Sequence, residues 1–113
     1  MNHKEGHLGK FRRFPLGMLA FIFTLKVLSE KPTHGYQLAE EISKKLGKEV
    51  PRPMIYNILK HLEERGFATS KWEFGESGPA RKIYYITEEG QEALKRKIER
   101  IRKFKELLEK ILE

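Results

Sequence analysis

Cysteine is missing from this chain altogether, and so is aspartate; all 16 acidic residues are glutamate. Without cysteine there are no disulfides, no zinc ribbons and no thiol chemistry. Asparagine and glutamine together number only four, against 23 lysines and arginines. That bias towards lysine and glutamate and away from labile amides resembles proteins from hot environments.

Long apolar runs are scarce as well. The longest, FPLGMLAFIFTLKVL at residues 14–28, is interrupted by Thr24, and Lys26 ends its spanning potential. It falls short of the ~20 apolar residues a membrane helix needs. The stretch SEKPTHGY behind it offers no small-residue cleavage site. A cytoplasmic protein with no membrane partner is expected.

Catalytic constellations are lacking too: no paired acids, nucleophile–base pair or phosphate loop stands out. Neither an enzyme nor a cofactor is expected. His3 and His7 flank Glu5 at a spacing of four, but a metal site needs a rigid helix beneath it. A mobile polar start is expected there, with no metal. His34 and His61 have no companion nucleophile and carboxylate, so structural roles are expected for both.

What the chain does hold is positive charge. Its 113 residues suffice for one domain and not for two independent cores. The net charge of +7 favours a polyanionic partner. Residues 1–13 carry +3, from Lys4, Lys10, Arg12 and Arg13 against Glu5. Residues 14–66 carry +2, residues 67–87 +1 and residues 88–113 +1. The excess therefore sits partly in an N-terminal arm, while the charge-dense tail is balanced, as in a solvated helix.

The residues 15–30 read as a helix, with Pro15 tolerated in its first turn. Leu16, Leu19, Phe21, Ile22, Phe23, Leu25 and Leu28 spread around the cylinder, so this helix must be covered on several sides. Thr33 is expected to cap a second helix running to about Leu46, with Gly47 as its stop. Pro53 fits the first position of a third helix running to Arg65 and stopped by Gly66, with Arg52 held extended before it. Two short helices joined tightly are what a helix-turn-helix requires. Phe67 to Phe74 and Ala80 to Thr87 are rich in β-branched and aromatic residues and are joined by GESGP, a hairpin pattern. Thr87 then caps a long last helix, with Glu88 and Glu89 well placed in its first turn. Leu94, Ile98, Ile101, Leu108 and Leu112 repeat along that helix, widened by Phe104, Leu107 and Ile111. So broad a face wants another helix. Packing of Leu19, Phe21, Ile22 and Phe23 against Leu94, Ile98, Ile101, Phe104, Leu108 and Leu112, within and between subunits, predicts a two-fold homodimer.

On the third helix Ile55, Ile58, Leu59 and Leu62 share a face and form core. Met54, Asn57, Lys60 and His61 lie elsewhere, and Tyr56 flanks the core stripe with its hydroxyl free for a phosphate. Asn57 is the best base reader, since its amide matches the adenine N6/N7 edge. Lys60 suits phosphate more than sequence. At the hairpin tip, Ser77 and Gly78 let the backbone approach phosphates, and Arg81 and Lys82 supply charge. Arg81 carries the most weight; Glu73 and Glu76 oppose it. Trp72, Tyr84 and Tyr85 are expected to pack the sheet.

The segments PTHGYQLAEEI, IYNILKHLEERGFA and SGPARKIYYITEEG resemble the PadR family of transcriptional regulators over about residues 15–90. The resemblance implies a dimeric winged-helix repressor on a pseudo-palindromic operator. It also implies DNA contacts by Tyr36, Tyr56 and Arg81, with Lys82 supporting the wing. Where family members usually carry a small hydroxyl residue before the tyrosine, this chain has Arg52, Pro53 and Met54, which join the expected DNA-facing set. The single helix after the hairpin resembles the short-tailed branch; it has no tryptophan, so binding of flat aromatic drugs is not carried over.

The expected architecture is mainly α with a small β-hairpin: a winged helix-turn-helix with a long C-terminal helix. Residues 1–13 form a flexible basic arm, 14–87 the double-stranded-DNA-binding domain and 88–113 the dimerisation helix. The residues specify no small-molecule effector; one that acted would shift the angle between subunits through the first and last helices. The competing reading is a winged-helix module that docks a protein and binds duplex DNA without sequence preference.

Overall fold

The computed structural model describes residues 15–75 and 77–113. The expected arm at 1–13, with His3 and His7, and the Glu76 position lie outside them. Among the described residues, four helices and a three-stranded sheet follow in the order α1 (Leu16–Glu30), β1 (Thr33–His34), α2 (Gly35–Leu46), α3 (Arg52–Glu64), β2 (Ala68–Glu73), β3 (Arg81–Ile86) and α4 (Glu88–Leu112). The sheet is antiparallel, with β3 between β1 and β2.

Helix α1 is the spine of the fold. It packs against α2, α3, α4 and β3, which covers several of the sides that its scattered apolar residues require. Ala20, Thr24, Leu25, Val27 and Leu28 are buried in it. The buried Thr24 hydroxyl donates to the Ala20 carbonyl at 2.7 Å, so it leaves no unmet polar group. Leu38 and Ile42 of α2, with Ile55, Leu59 and Leu62 of α3, complete the same core.

Thr33 is not a helix cap. It is buried in β1 opposite Tyr84, its hydroxyl donating to the Lys31 carbonyl, and α2 starts two residues later at Gly35. The free edge of β3 recruits this short strand, so the wing has three strands where a simple hairpin was expected. Gly47 ends α2 at φ 67, accepting the left-handed turn that an L side chain resists. At α3 the extended residue is Pro51, not Arg52. The Pro51 carbonyl accepts from the Met54 and Ile55 amides, and Arg52 begins the helix with Pro53 second. That placement still suits proline, because first-turn amides have no partner within the helix.

The wing is tied to the last helix at one point. Thr87 Oγ1 accepts from the Gly90 amide and donates to the Gly66 carbonyl, and the Thr87 amide donates to the Phe67 carbonyl. Gly90 lies so close to that carbonyl that a Cβ there would overlap it. Beyond Ile98, every residue of α4 is exposed.

Candidate nucleic-acid interface

Of the four described helices only α4 has a side-chain cap and acids in its first turn. The starts of α2 and α3 have neither. No carboxylate therefore competes for the positive end of either dipole; at α3 the Met54 and Ile55 amides are taken by the Pro51 carbonyl and Pro53 has no N–H, so charge and not a row of donors is what that start offers an anion. Gly35 opens α2 and is buried against the Tyr56 ring of α3, where a Cβ would sit 2.7 Å from Tyr56 Cε1. A side chain at residue 35 would have to displace the Tyr56 ring from this position.

Close to that contact, α2 and the wing are joined. Arg81 Nη1 donates to the Tyr36 hydroxyl at 3.0 Å, and the guanidinium carbon lies 5.4 Å from the Tyr36 ring centroid. His34 Nε2–H donates to Glu73 Oε1 at 2.7 Å, and its other ring nitrogen is 3.1 Å from Gln37 Oε1. Glu73 and Arg81 are themselves register partners across β2 and β3. Lys82 Nζ sits 5.4 Å from the centroid of Trp72, its own cross-strand partner. Each cation over a ring face is held by the negative quadrupole of that face.

A groove of about 370 Å³ runs between α3 and the wing, lined by Gly35, Tyr36, Tyr56, Trp72, Arg81 and Lys82. The structure thus brings together Tyr36, Tyr56, Arg81 and Lys82, residues far apart in the chain. Asn57 and Lys60 are exposed on α3; Lys60 lines a neighbouring hollow with Tyr56, Glu63, Glu64 and Lys82. Arg52 and Pro53 are exposed at the helix start, whereas Met54 is half-buried against the core. Ser77 and Gly78 are exposed at the wing tip, Gly78 with φ 91.

The aromatic residues divide. Tyr84 packs as expected and is buried, and burial raises its hydroxyl pKa, with Glu63 and then Tyr56 adding to the effect. Trp72 instead stays 58% exposed, facing the groove under Lys82. The His34–Glu73 pair has no counterpart in the sequence pattern, since 39 residues separate the two. Glu73, read as a simple opponent of Arg81, is a partner of His34. His61 is exposed, 3.5 Å from Glu64. Among the described residues no group of histidine and carboxylate side chains could hold a metal ion, and no helix is long and apolar enough to cross a membrane.

The model of the transcriptional regulator PadR-like family matches residues 24–96. A candidate transcriptional regulator from Thermoplasma acidophilum is 30% identical, with 86% of this chain and 93% of that one covered at a TM-score of 0.77. A PadR family transcription regulator from Clostridium difficile is 26% identical, covering 83% and 98%, at 0.74. A transcriptional regulator from Clostridium thermocellum is 25% identical, covering 86% and 92%, also at 0.74. No curated protein matches.

Proposed function

We propose, because this chain belongs to the PadR-like family of transcriptional regulators, that it is a cytoplasmic repressor working as a homodimer on a pseudo-palindromic operator. The family is one of DNA-binding regulators and not of enzymes. The observation that carries the finer reading is the convergence of Tyr36, Tyr56, Arg81 and Lys82 on one groove beside two uncapped helix starts. Helix α3 enters the major groove, where Asn57 reads adenine and Arg52, Pro53, Met54 and Lys60 face the duplex near it. The wing lies along the backbone, with Ser77 and Gly78 at its tip and Arg81 on phosphate.

The dimer is supported by α4. Its last two turns and more carry apolar side chains that stay exposed among charged ones: Phe104 is 59%, Ile111 77% and Leu112 83% accessible. Exposed contiguous apolar surface of that kind marks an interaction site. Ile101 and Leu108 continue the face towards Ile98, and Ile98, like Phe21, Ile22 and Phe23 of α1, is only partly buried. Leu19 is partly buried as well. Leu94 is already buried in its own chain's core and has little surface left for a partner. A two-fold pairing then sets the two α3 helices about one DNA turn apart, roughly 34–36 Å.

The test is titration onto the chain's own upstream DNA and onto a shuffled duplex of equal length, near physiological salt. Tight binding to the first, weakened roughly tenfold or more by Arg81→Ala and by Asn57→Ala, is the expected result. Equal, weak binding to both would place the operator elsewhere or bring the protein-docking reading forward.

A further inference from the structure

The wing leaves the body braced on both strands at one rung. Glu73 ends β2 and is held by His34; Arg81 begins β3 and is held by Tyr36. Both holders stand at the start of α2, and Glu73 and Arg81 face each other in register. Phe74 is the first residue past this doubly anchored rung, and it is 81% exposed. Gly75 follows it, and Ser77 and Arg81 line the same hollow of about 490 Å³. A phenyl ring so placed contributes little to its own chain's core, and its neighbours are the groups proposed to meet the phosphates.

We propose that Phe74 is an apolar wedge that enters the minor groove beside the α3 site and partly unstacks one base step, kinking the duplex. This rests on the DNA reading above and adds to it a residue that reads deformability. Side chains of this kind kink DNA by partial unstacking, which costs a few kcal/mol per step. A wedge can impose that cost only from a rigid mount, because a loose hairpin would yield before the bases do. The His34–Glu73 and Tyr36–Arg81 contacts supply the mount. Pyrimidine–purine steps such as TA and CA/TG unstack most cheaply. The operator is therefore expected to carry one on each flank, read without any hydrogen bond to a base edge.

The experiment starts from a pool of duplexes with a random core, enriched separately by the wild-type protein and by Phe74→Ala. End-to-end energy transfer on the enriched duplexes then reads the bend. Wild type should enrich pyrimidine–purine steps at fixed flanking positions and bend the duplex. Phe74→Ala should lose both the flanking preference and the bend, and bind about tenfold more weakly. Phe74→Leu, which keeps an apolar wedge, should restore most of the bend. Glu73→Ala removes a negative charge from the interface, so a purely electrostatic role would strengthen binding and leave the bend unchanged; a reduced bend is the mark of the mount. The same flanking preference and the same bend in wild type and Phe74→Ala would overturn the inference while leaving the DNA reading standing. A pool that wild type cannot enrich would overturn the DNA reading, and the wedge with it.

Discussion

The wing and the last helix make opposite use of exposed side chains. On the wing, exposed groups engage one another: Arg81 with Tyr36, His34 with Glu73, Lys82 with Trp72, and Lys71 over the Tyr85 ring. On α4, the apolar groups from Ile101 to Leu112 stay 41–83% exposed. The difference lies in the kind of partner each surface awaits. A surface for a charged, hydrated partner gains from being pre-arranged, because ordering its side chains on binding costs about 0.5–1.5 kcal/mol each. A surface for an apolar partner needs no such rehearsal, since the hydrophobic effect is non-directional and proportional to area. On the proposed reading, the paired wing groups are set before the partner arrives, Phe74 apart, whereas the apolar face of α4 is completed only by a second helix.

The largest expected effect breaks that comparison on the helix side. Ile101→Glu with Leu108→Glu places charges on α4 where each side chain is 41% exposed in the isolated chain. Full burial of such an apolar residue contributes roughly 1.5–3 kcal/mol, of which about two-fifths is still to be gained at 41% exposure, and two-fold symmetry counts both positions twice. The double variant should lose on the order of 4 kcal/mol of dimer stability and run as a folded monomer by light scattering. A variant that stays dimeric would place the interface elsewhere and leave the open face of α4 unexplained.

Next in size is the seam between the two regions. Gly90→Ala drives a Cβ into the Phe67 carbonyl oxygen, a backbone atom that can yield only if α4 shifts. A loss of about 1–3 kcal/mol is expected in urea unfolding. Gly17→Ala is the contrasting case, because a Cβ on that α1 glycine meets nothing within 4 Å. It should stabilise the monomer by roughly 0.5–1 kcal/mol through helix propensity. If it weakens the dimer instead, α1 passes close to its symmetry mate at this point, and the interface extends from α4 onto α1.

Much of this was legible beforehand, for a physical reason that also explains the failures. Local signals act over a turn or two: Gly47, Gly66 and the Thr87 cap stop and start their elements near the places the sequence indicates. The apolar face of α3 (Ile55, Ile58, Leu59 and Leu62) is likewise periodic and is buried as read. Strand β1 was missed because two residues have no period; Thr33–His34 is a strand only through the edge of β3, some 50 positions later. The Pro51–Arg52 boundary was misplaced by one residue because two prolines compete for it, and the one that lends its carbonyl to Met54 and Ile55 wins. Asn57, Lys60 and Arg81 are candidates by their own chemistry, and Tyr36 is one only through the family resemblance. Their convergence, and the His34–Glu73 and Gly35–Tyr56 contacts behind it, depend on tertiary distances that no local pattern encodes.

The smallest effect tests whether the wing's completeness has a titratable signature. Tyr84 is buried between β1 and β2, and desolvation holds its hydroxyl pKa above the ordinary value near 10. In the unfolded chain Tyr84 loses its proton near that ordinary value, while the folded chain keeps it to higher pH. Between the two values the native state binds more protons than the unfolded state, so stability falls as pH rises. Below the unfolded value both states are protonated and the contribution is fully present. Lysines titrate in the same range, so the raw alkaline slope is not diagnostic. The diagnostic is the difference in urea midpoint between wild type and Tyr84→Phe, followed from about pH 8 to about pH 11. Wild type should lose more stability than the phenylalanine variant across that window, and the two curves should be parallel below it. Parallel curves throughout would mean that Tyr84 ionises freely in the native state. The wing sheet would then open locally at alkaline pH, and its side of the contrast with α4 would be a matter of conditions and not of the fold.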